Sequence, residues 1–418
     1  MNNEKEFKNL PEGWKWVRLG EVCKNLKAGG TPARDKLDYW GGNIPFALVE
    51  DLTKNKYLTS TSETITEKGL KNSSAWIVPK NSILISIYAS LGEVAINKID
   101  TSTNQAILGI ILKENYDLKF IYYLLKFNKN NFEKFTTQTT QKNLNKKIVS
   151  ELKFALPTSL PEQQKIAEIL ETVDNAIEKT DKIIEKYKRI KQGLMQDLLT
   201  KGIDENGNIR SEKTHKFKDS PLGKIPEEWE VVRLGEVFKL KSGKTKPIDT
   251  SEFGNYPVYG GNGILGYTNE KNFNKETIII GRVGEYCGSV YIANEGWVTD
   301  NALYVVAKKL DYNNIFLCYL LKYLNLNQFS AETGQPLMTQ TIIYSLLIPL
   351  PPLPEQQRIA EILSQIDQTI EIEQQYKEKL KRIKQGLMQD LLTGKVRVNH
   401  LVEEKENEQR YTSNFTRT

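Results

Sequence analysis

The chain has 418 residues and a mass of 47.9 kDa, which predicts two or three compact domains rather than one. Hydrophobic residues make up 39% and charged residues 26%, and the formal net charge is +6, a composition that predicts buried cores and argues against a largely disordered chain. Three scattered cysteines and two histidines argue against a disulfide framework, a zinc site and a histidine-based catalytic triad.

The first predicted domain, residues 1–159, is rich in β-type segments and carries the basic excess of the chain. It has 23 Lys and Arg residues against 16 Asp and Glu residues, a surplus that attracts phosphates but is also typical of a solvated surface. Residues 82–88 predict a strand, and loops such as 29–34 combine glycine with basic and polar side chains. Such side chains can contact phosphates and base edges, although similar loops also occur as simple turns. The candidate DNA contacts here are Arg34, Lys36, Tyr88, Asn104, Gln105, Gln138, Gln141, Lys142 and Asn143.

A long helix is predicted over residues 160–201. Its apolar residues recur in alternating steps of three and four, the periodicity of a coiled-coil seam, with polar breaks at Thr180 and Lys191. Pro161 suits the first helical turn and Gly202 suits the stop. A helix of this length with a narrow apolar stripe needs a partner. The predicted seam residues are Ile166, Leu170, Val173, Ile177, Ile184 and Leu194.

The rest of the chain is predicted to contain the same two parts again. A connector, residues 202–224, leads to a second β-rich domain over 225–352, and a second helix follows over 353–394 before the tail 395–418, to which no role is assigned. Residues 202–352 hold 16 basic and 17 acidic side chains, so any grip on DNA depends on local charges. The candidate DNA contacts are Lys244, Lys246, Asn262, Arg282, Tyr286, Asn301, Gln335 and Gln340, and the seam residues are Ile359, Leu363, Ile366, Ile370, Leu380 and Leu387.

An internal repeat ties these parts together. Residues 160–200 align without a gap to residues 353–393, with 28 of 41 positions identical, and both copies begin with Leu-Pro-Glu-Gln-Gln. Weaker similarities join the segments around Trp14 and Trp229. The unit is therefore a globular domain followed by a helix, used twice.

The two helices are natural partners for each other. Antiparallel pairing would place the two domains at opposite ends of a rod, matching the dyad of a DNA duplex, and this is the arrangement we favour. Parallel pairing stays open, because the connector could span roughly 75 Å when extended.

Taken together, the chain resembles the specificity (S) subunit of type I restriction-modification enzymes. The similarity rests on the duplicated helices, on their Gln-Gly-Leu-Met-Gln-Asp-Leu-Leu-Thr ends and on the run Tyr-Pro-Val-Tyr-Gly-Gly-Asn-Gly at 256–263. It implies an α+β fold with two target recognition domains, each reading half of a bipartite double-stranded DNA site, separated by helices that form an antiparallel coiled coil. It also implies that the helices set the spacer and dock two methyltransferase (M) subunits, joined by restriction (R) subunits.

The resemblance places the chemistry on the partners. S-adenosylmethionine, ATP and Mg²⁺ are expected on the M and R subunits, and neither a catalytic residue, a metal nor a cofactor is expected on this chain. The chain has no recognisable methylase motif and no complete phosphate-binding loop. With no long apolar span and no signal-peptide pattern, we expect the cytoplasm of a prokaryote as its location.

Two alternatives remain open at this point. One is an autonomous DNA methyltransferase or nuclease, which cofactor binding by the isolated chain would reveal. The other is a coiled-coil interaction protein without DNA, which salt-sensitive and sequence-dependent DNA binding would eliminate.

Overall fold

The computed structural model describes residues 10–88, 90–130, 132, 144–333 and 335–402. The chain divides into two compact units. Unit 1 contains the residues up to 180 together with those from 376 onward, and unit 2 contains residues 181–375. Both long helices are continuous across this division, so each unit holds a part of each helix.

Unit 1 begins with a β-rich globular domain. Its strands are β1 (Trp14–Arg18), β2 (Cys23–Ala28), β3 (Trp40–Ala47), β4 (Tyr57–Leu58), β5 (Glu63–Ile65), β6 (Ile83–Ser86), β7 (Val94–Asn97), β8 (Ser102–Thr103), β9 (Ile107–Leu112) and β10 (Lys153–Pro157). Its helices are α1 (Leu19–Val22), α2 (Val49–Lys54), α3 (Glu67–Lys71), α4 (Leu118–Phe127) and α5 (Lys146–Glu151). The strands form a five-stranded sheet in the order β2-β9-β6-β7-β4, a three-stranded sheet in the order β5-β3-β8, and the pair β1-β10.

Strand β6 shows why this domain folds as it does. All four of its residues are buried, because side chains that alternate along the strand enter two different cores. Ile83 and Ile85 pack in the core that contains α4, whereas Leu84 packs in a smaller cluster with Leu52 and Leu58 on the opposite face. A sheet covered on both faces needs a continuous apolar strand, as this sequence provides.

The helix α6 (Leu160–Thr200) follows β10 and enters unit 2. The strands there are β11 (Phe217–Ser220), β12 (Gly223–Pro226), β13 (Glu230–Arg233), β14 (Phe238–Ser242), β15 (Tyr256–Gly260), β16 (Gly263–Thr268), β17 (Thr277–Gly281), β18 (Val290–Ala293), β19 (Trp297–Val298), β20 (Ala302–Lys308), β21 (Ala331–Thr333), β22 (Gln335–Leu337) and β23 (Leu347–Leu350). The helices are α7 (Leu234–Val237), α8 (Asn314–Tyr323), α9 (Gln340–Ser345) and α10 (Leu353–Leu392).

Three sheets of unit 1 recur in unit 2, where the main sheet has one strand fewer, and unit 2 has the further strand pairs β11-β12 and β21-β22. The main sheet has four strands in the order β14-β20-β17-β18, beside a three-stranded sheet in the order β16-β15-β19. Strand β13 pairs with β23 as β1 pairs with β10. The region 202–224 contains the β-bridge between Ile203 and Ile209 and most of the hairpin β11-β12, so it is more ordered than a plain connector.

The two long helices pack antiparallel within each unit. In unit 1, Asp174 pairs with Lys384, and Glu162, nearer the start of α6, pairs with Arg397, just beyond the end of α10. In unit 2, Lys191 pairs with Asp367, while Leu198 and Leu199 share a core with Ile359 and Leu363. Rising numbers along α6 therefore meet falling numbers along α10. The predicted α+β fold with antiparallel long helices is confirmed.

The predicted seam positions lie away from solvent. Each of them is buried or half-buried: Ile166, Leu170, Val173, Ile177, Ile184, Leu194, Ile359, Leu363, Ile366, Ile370, Leu380 and Leu387. The polar break at Lys191 has a specific cause, because its ammonium group lies 2.5 Å from the Asp367 carboxylate. A charged residue is tolerated in a seam when its partner is placed opposite it.

Candidate nucleic-acid interface

In unit 1, three loops that carry predicted DNA contacts meet at one end of the main sheet. The Gly30 amide donates to the Thr103 carbonyl at 2.9 Å, and the Ile87 amide donates to the Ala106 carbonyl at 2.8 Å. A Cβ atom at Gly29 would lie 2.1 Å from the Thr103 carbonyl oxygen, so only glycine allows this approach. Backbone pairing thus brings the loops after β2, β6 and β8 together.

Some of the predicted DNA contacts on these loops already interact with other side chains or with the backbone, and others are exposed. Arg34 stacks on the Trp40 ring, 3.8 Å from its centroid, and forms an ion pair with Glu63 at 2.9 Å. Gln105 is exposed and accepts a hydrogen bond from the Thr31 hydroxyl, while the Asn104 side chain is half-buried and accepts from the Ala106 amide at 3.0 Å. Lys36 and Tyr88 are exposed.

Unit 2 repeats this arrangement. The Lys244 amide donates to the Val298 carbonyl at 3.0 Å, and the Arg282 amide donates to the Asn301 carbonyl at 2.9 Å. A Cβ atom at Gly243 would lie 2.0 Å from the Thr299 carbonyl oxygen, as at the equivalent glycine of unit 1.

Asn262, Tyr286 and Asn301 are brought together by this fold. They line one groove of about 370 Å³. Two side-chain hydrogen bonds fix the turn that carries Asn262. The Tyr291 hydroxyl donates to the Gly260 carbonyl, and the Ser289 hydroxyl donates to the Gly261 carbonyl. Burial raises the pKa of Tyr291, which keeps this hydroxyl protonated as a donor. The groove therefore presents two amide side chains and a phenol, and the turn that carries Asn262 is fixed.

The other predicted DNA contacts of unit 2 differ in their exposure to solvent. Lys244 lies 5.8 Å from the centroid of the Trp297 ring, Lys246 is exposed, and Arg282 and Gln340 are half-buried. Gln335 is described only as backbone, in β22. Gln138, Gln141, Lys142 and Asn143 lie outside the described residues. No observation tests a base contact at any of these positions, so they stay predictions.

The two units differ most at the turn that carries Asn262. Strand β15 ends at Gly260 and its partner β16 begins at Gly263, so the turn between them is tight. In unit 1 the equivalent strands are β3 and β5, and the segment 47–62, from the last residue of β3 to the residue before β5, contains α2 and β4. One loop set therefore has an insertion where the other has a glycine-asparagine turn, and the two domains present different surfaces.

The repeated Leu-Pro-Glu-Gln-Gln motif has a role that sequence reasoning missed. Its first glutamine joins the end of the last strand to the cap of a domain helix in both units. The Gln163 side chain accepts from the Asp117 amide at 2.9 Å and donates to the Pro157 carbonyl at 3.0 Å. Gln356 does the same with Asn313 and Pro351, at 2.9 and 2.8 Å. Identity of the motif between two copies was the signal that could have revealed this junction.

The glutamate of the motif is a buried anion in both units. Glu162 is 2% exposed and receives two hydrogen bonds from Arg397, at 2.6 and 2.9 Å. Glu355 is 3% exposed and accepts from Arg210 and, at 3.1 Å, from the Trp229 indole. Each carboxylate is thus neutralised by an arginine that follows the end of the other long helix.

A larger ionic cluster occurs in unit 1 between the β-rich domain and α6. Glu171 accepts hydrogen bonds from Lys56, Tyr57 and Lys119. Burial alone would raise the pKa of Glu171, but the hydrogen bonds from Lys119, Tyr57 and Lys56 outweigh it and hold the pKa at about 2. The carboxylate is therefore ionised at every physiological pH.

The described residues contain no group of three or more His, Cys, Asp or Glu side chains placed to hold a metal ion. Nor does any helix among them have the length and apolarity to cross a membrane.

Comparison with known proteins identifies the family. The model for the type I restriction modification DNA specificity domain matches residues 11–188 and again residues 226–382. The chain belongs to this family. Over 96% of its length it is 29% identical to the type I restriction enzyme MjaVIII specificity subunit of Methanocaldococcus jannaschii, covering 97% of that protein. Over 84% it is 28% identical to the EcoprrI specificity subunit of Escherichia coli, covering 87% of it.

Solved structures share the family fold. The type I restriction-modification S subunit from M. genitalium superimposes with a TM-score of 0.62 at 20% identity, over 92% of this chain and 97% of that one. A chain from a study of complex assembly and conformational transition in a type I system gives a TM-score of 0.54 at 20% identity, over 93% of this chain and 100% of the other. The resemblance inferred from the sequence is confirmed at the level of family and fold.

Proposed function

We propose that this chain is the DNA-specificity subunit of a type I restriction-modification complex, in which each recognition domain reads one half of a bipartite duplex target. The observation that carries the proposal is the duplicated domain with two unlike loop sets, residues 47–62 in unit 1 and the turn 260–263 in unit 2. Two copies of one scaffold with different contact surfaces suit a target made of two different half-sites.

The chemistry of the loops supports this assignment. Asparagine reads adenine through paired hydrogen bonds in the major groove, and the groove of unit 2 presents Asn262 and Asn301 together. Lys244 and Lys246 lie on the neighbouring loop, where exposed ammonium groups can contact phosphates. These local positive charges can hold phosphates although residues 202–352 carry one more acidic than basic side chain in total.

The long helices are the proposed docking site for two methyltransferase subunits. Beyond the seam they carry exposed apolar side chains, which a partner would cover: Ile183, Ile190, Ile372, Tyr376 and Ile383. Restriction subunits would join this assembly. The chain itself is proposed to be noncatalytic and to act in the prokaryotic cytoplasm, with S-adenosylmethionine, ATP and Mg²⁺ bound by its partners.

Exchange of one recognition domain tests the proposal. The chain is co-expressed with its methyltransferase, and methylated adenines are mapped before and after residues 14–157 are replaced by the matching domain of a family member with another target. We expect one half-site to change while the other half-site stays the same. A change in both halves, or methylation that ignores the exchange, would contradict the model of one domain per half-site.

A further inference from the structure

The ionic cluster of unit 1 joins three parts of the chain. The segment 47–62 contributes Lys56 and Tyr57, α4 contributes Lys119 and Tyr123, and α6 contributes Glu171 and Asp174. Lys56 donates to Glu171 at 3.1 Å and to the Tyr123 hydroxyl at 2.8 Å, and that hydroxyl in turn donates to Asp174 at 2.6 Å. Lys56 therefore connects both helix carboxylates to the recognition domain.

The centre of the cluster is also largely shielded from solvent, whereas Lys119 at its edge is 41% exposed. Lys56 is 15% exposed and Glu171 is 20% exposed at their side chains. Asp174 also pairs with Lys384 of α10, so both long helices take part. Buried ion pairs add little net stability compared with apolar packing, and their best-attested use is to specify one arrangement of the parts they join.

Only part of this cluster exists in unit 2. Asp367 corresponds to Asp174 and repeats its two contacts. The Tyr319 hydroxyl lies 2.6 Å from Asp367, as Tyr123 contacts Asp174, and Lys191 pairs with Asp367, as Lys384 pairs with Asp174. The position equivalent to Glu171 is Ser364.

The other members are missing from unit 2 as well. The position equivalent to Lys119 is Ile315, and the four residues 260–263 replace the segment that carries Lys56 and Tyr57. The added segment and its partners thus occur together, in one unit only.

The added segment is fixed to the domain by buried side chains and by strand pairing. Leu52 of α2 and Leu58 of β4 are buried in the domain core, at 2% and 4% exposure. Strand β4 adds a fifth strand to the sheet, because the Ile96 amide donates to the Lys56 carbonyl and the Lys98 amide donates to the Leu58 carbonyl. The segment is therefore a rigid link between the sheet and α6.

We propose that residues 47–62 and Glu171 form a clamp that fixes the first recognition domain at one angle on α6 and so limits the spacing between half-sites, without touching a base. This inference rests on the proposed function. Glu171 is a positioning residue in this scheme.

The test uses the full chain assembled with its methyltransferase. Glu171→Gln removes the charge while keeping the shape, and Glu171→Ser installs the residue of unit 2. The matched control is Glu168→Gln on the same helix, because the Glu168 side chain is 54% exposed and pairs with the nearby Lys165 of its own helix. Target libraries with spacers one base pair shorter and longer are offered, and amide exchange of Ile96 and Lys98 is followed.

We expect both Glu171 variants to keep the half-site bases but to lose about 10-fold in discrimination between spacers, with faster exchange of the two amides. The control should match the wild type in both measurements. Unchanged spacer choice with merely lower stability would show a structural ion cluster and overturn the clamp. Altered bases in the first half-site would instead assign the segment to reading DNA. A wild-type complex without a bipartite target would refute the proposed function itself, whereas amide exchange would still report on the link.

Discussion

Glu162 and Arg397 are 235 positions apart in the sequence and form a bidentate ion pair at the junction of the recognition domain with the long helices of unit 1. Glu355 and Arg210 form the matching pair in unit 2, with the Trp229 indole as a third partner. The same helix-start glutamate thus neutralises an arginine from beyond the other helix in each unit. The junction depends on this exchange between the two copies of the repeat.

Removing one of these carboxylates should be costly. Glu355→Ala leaves the buried Arg210 guanidinium, the Ile203 amide and the Trp229 indole without their acceptor. We expect a loss of about 3–5 kcal/mol in the free energy of unfolding, measured by denaturant titration. Glu361→Ala, at an exposed position on the same helix, should change this value by less than about 0.5 kcal/mol. Similar values for the two variants would contradict the assigned role.

The glycine after α6 should resist substitution. Gly202 has φ +65°, and an added Cβ would lie 2.1 Å from Glu355 Oε1 and 2.5 Å from the Trp229 ring. Gly202→Ala should therefore cost about 2–4 kcal/mol, through both backbone strain and overlap. Gly207→Ala is the control, because Gly207 has φ +84° but open space around it, and it should cost only about 1 kcal/mol. Thermal unfolding of both variants compares the two; equal shifts would show that strain alone matters.

Acid should weaken unit 1 through Glu171. Its pKa is lowered from 4.5 to about 2 in the folded chain. The stabilisation is therefore present above pH 4.5 and is lost as the pH falls toward 2. We expect Glu171→Gln to be less stable than the wild type at pH 7 by on the order of 2 kcal/mol and to approach it at low pH. Unfolding titrations across this range measure the difference, and a gap that does not change with pH would refute the assignment.

The groove of unit 2 should read bases of one half-site only. Asn262→Ala and Asn301→Ala should each relax the preference at one or two bases by about 1–3 kcal/mol, because bidentate amide contacts are lost. Binding of the assembled complex to a randomised target measures this preference. The exposed Asn206, in a turn after α6, provides the control. Relaxation in both halves, or a uniform loss of affinity, would point to a structural or phosphate-binding role instead.

The spacer should follow the length of the long helices. One heptad inserted into each of α6 and α10 adds about 10 Å of helix, close to three base pairs of duplex. We expect methylation mapping to show a longer gap with both half-sites unchanged. A gap that keeps its length would refute the role of the helices in spacing.

Periodicity and duplication were sufficient to predict the long helices. The pattern of apolar residues from Ile166 to Leu194 is a local property, and the second copy supplied the partner. The loops that hold the candidate DNA contacts were chosen because Gly, Asn and basic residues are concentrated there, and the contacts themselves stay predictions. Which of them share a groove was not predictable, since Asn262 and Asn301 meet through strand pairing across the sheet.

By itself the sequence determined the repeated domain-plus-helix unit, the α+β class and the family, because these follow from local patterns and from identity between copies. Only the tertiary structure decided which charges are paired. Lys191 meets Asp367 across 176 positions, and Lys56 meets Glu171 across 115. Such pairs form where strand register and helix packing bring distant residues together, and no local pattern encodes that proximity.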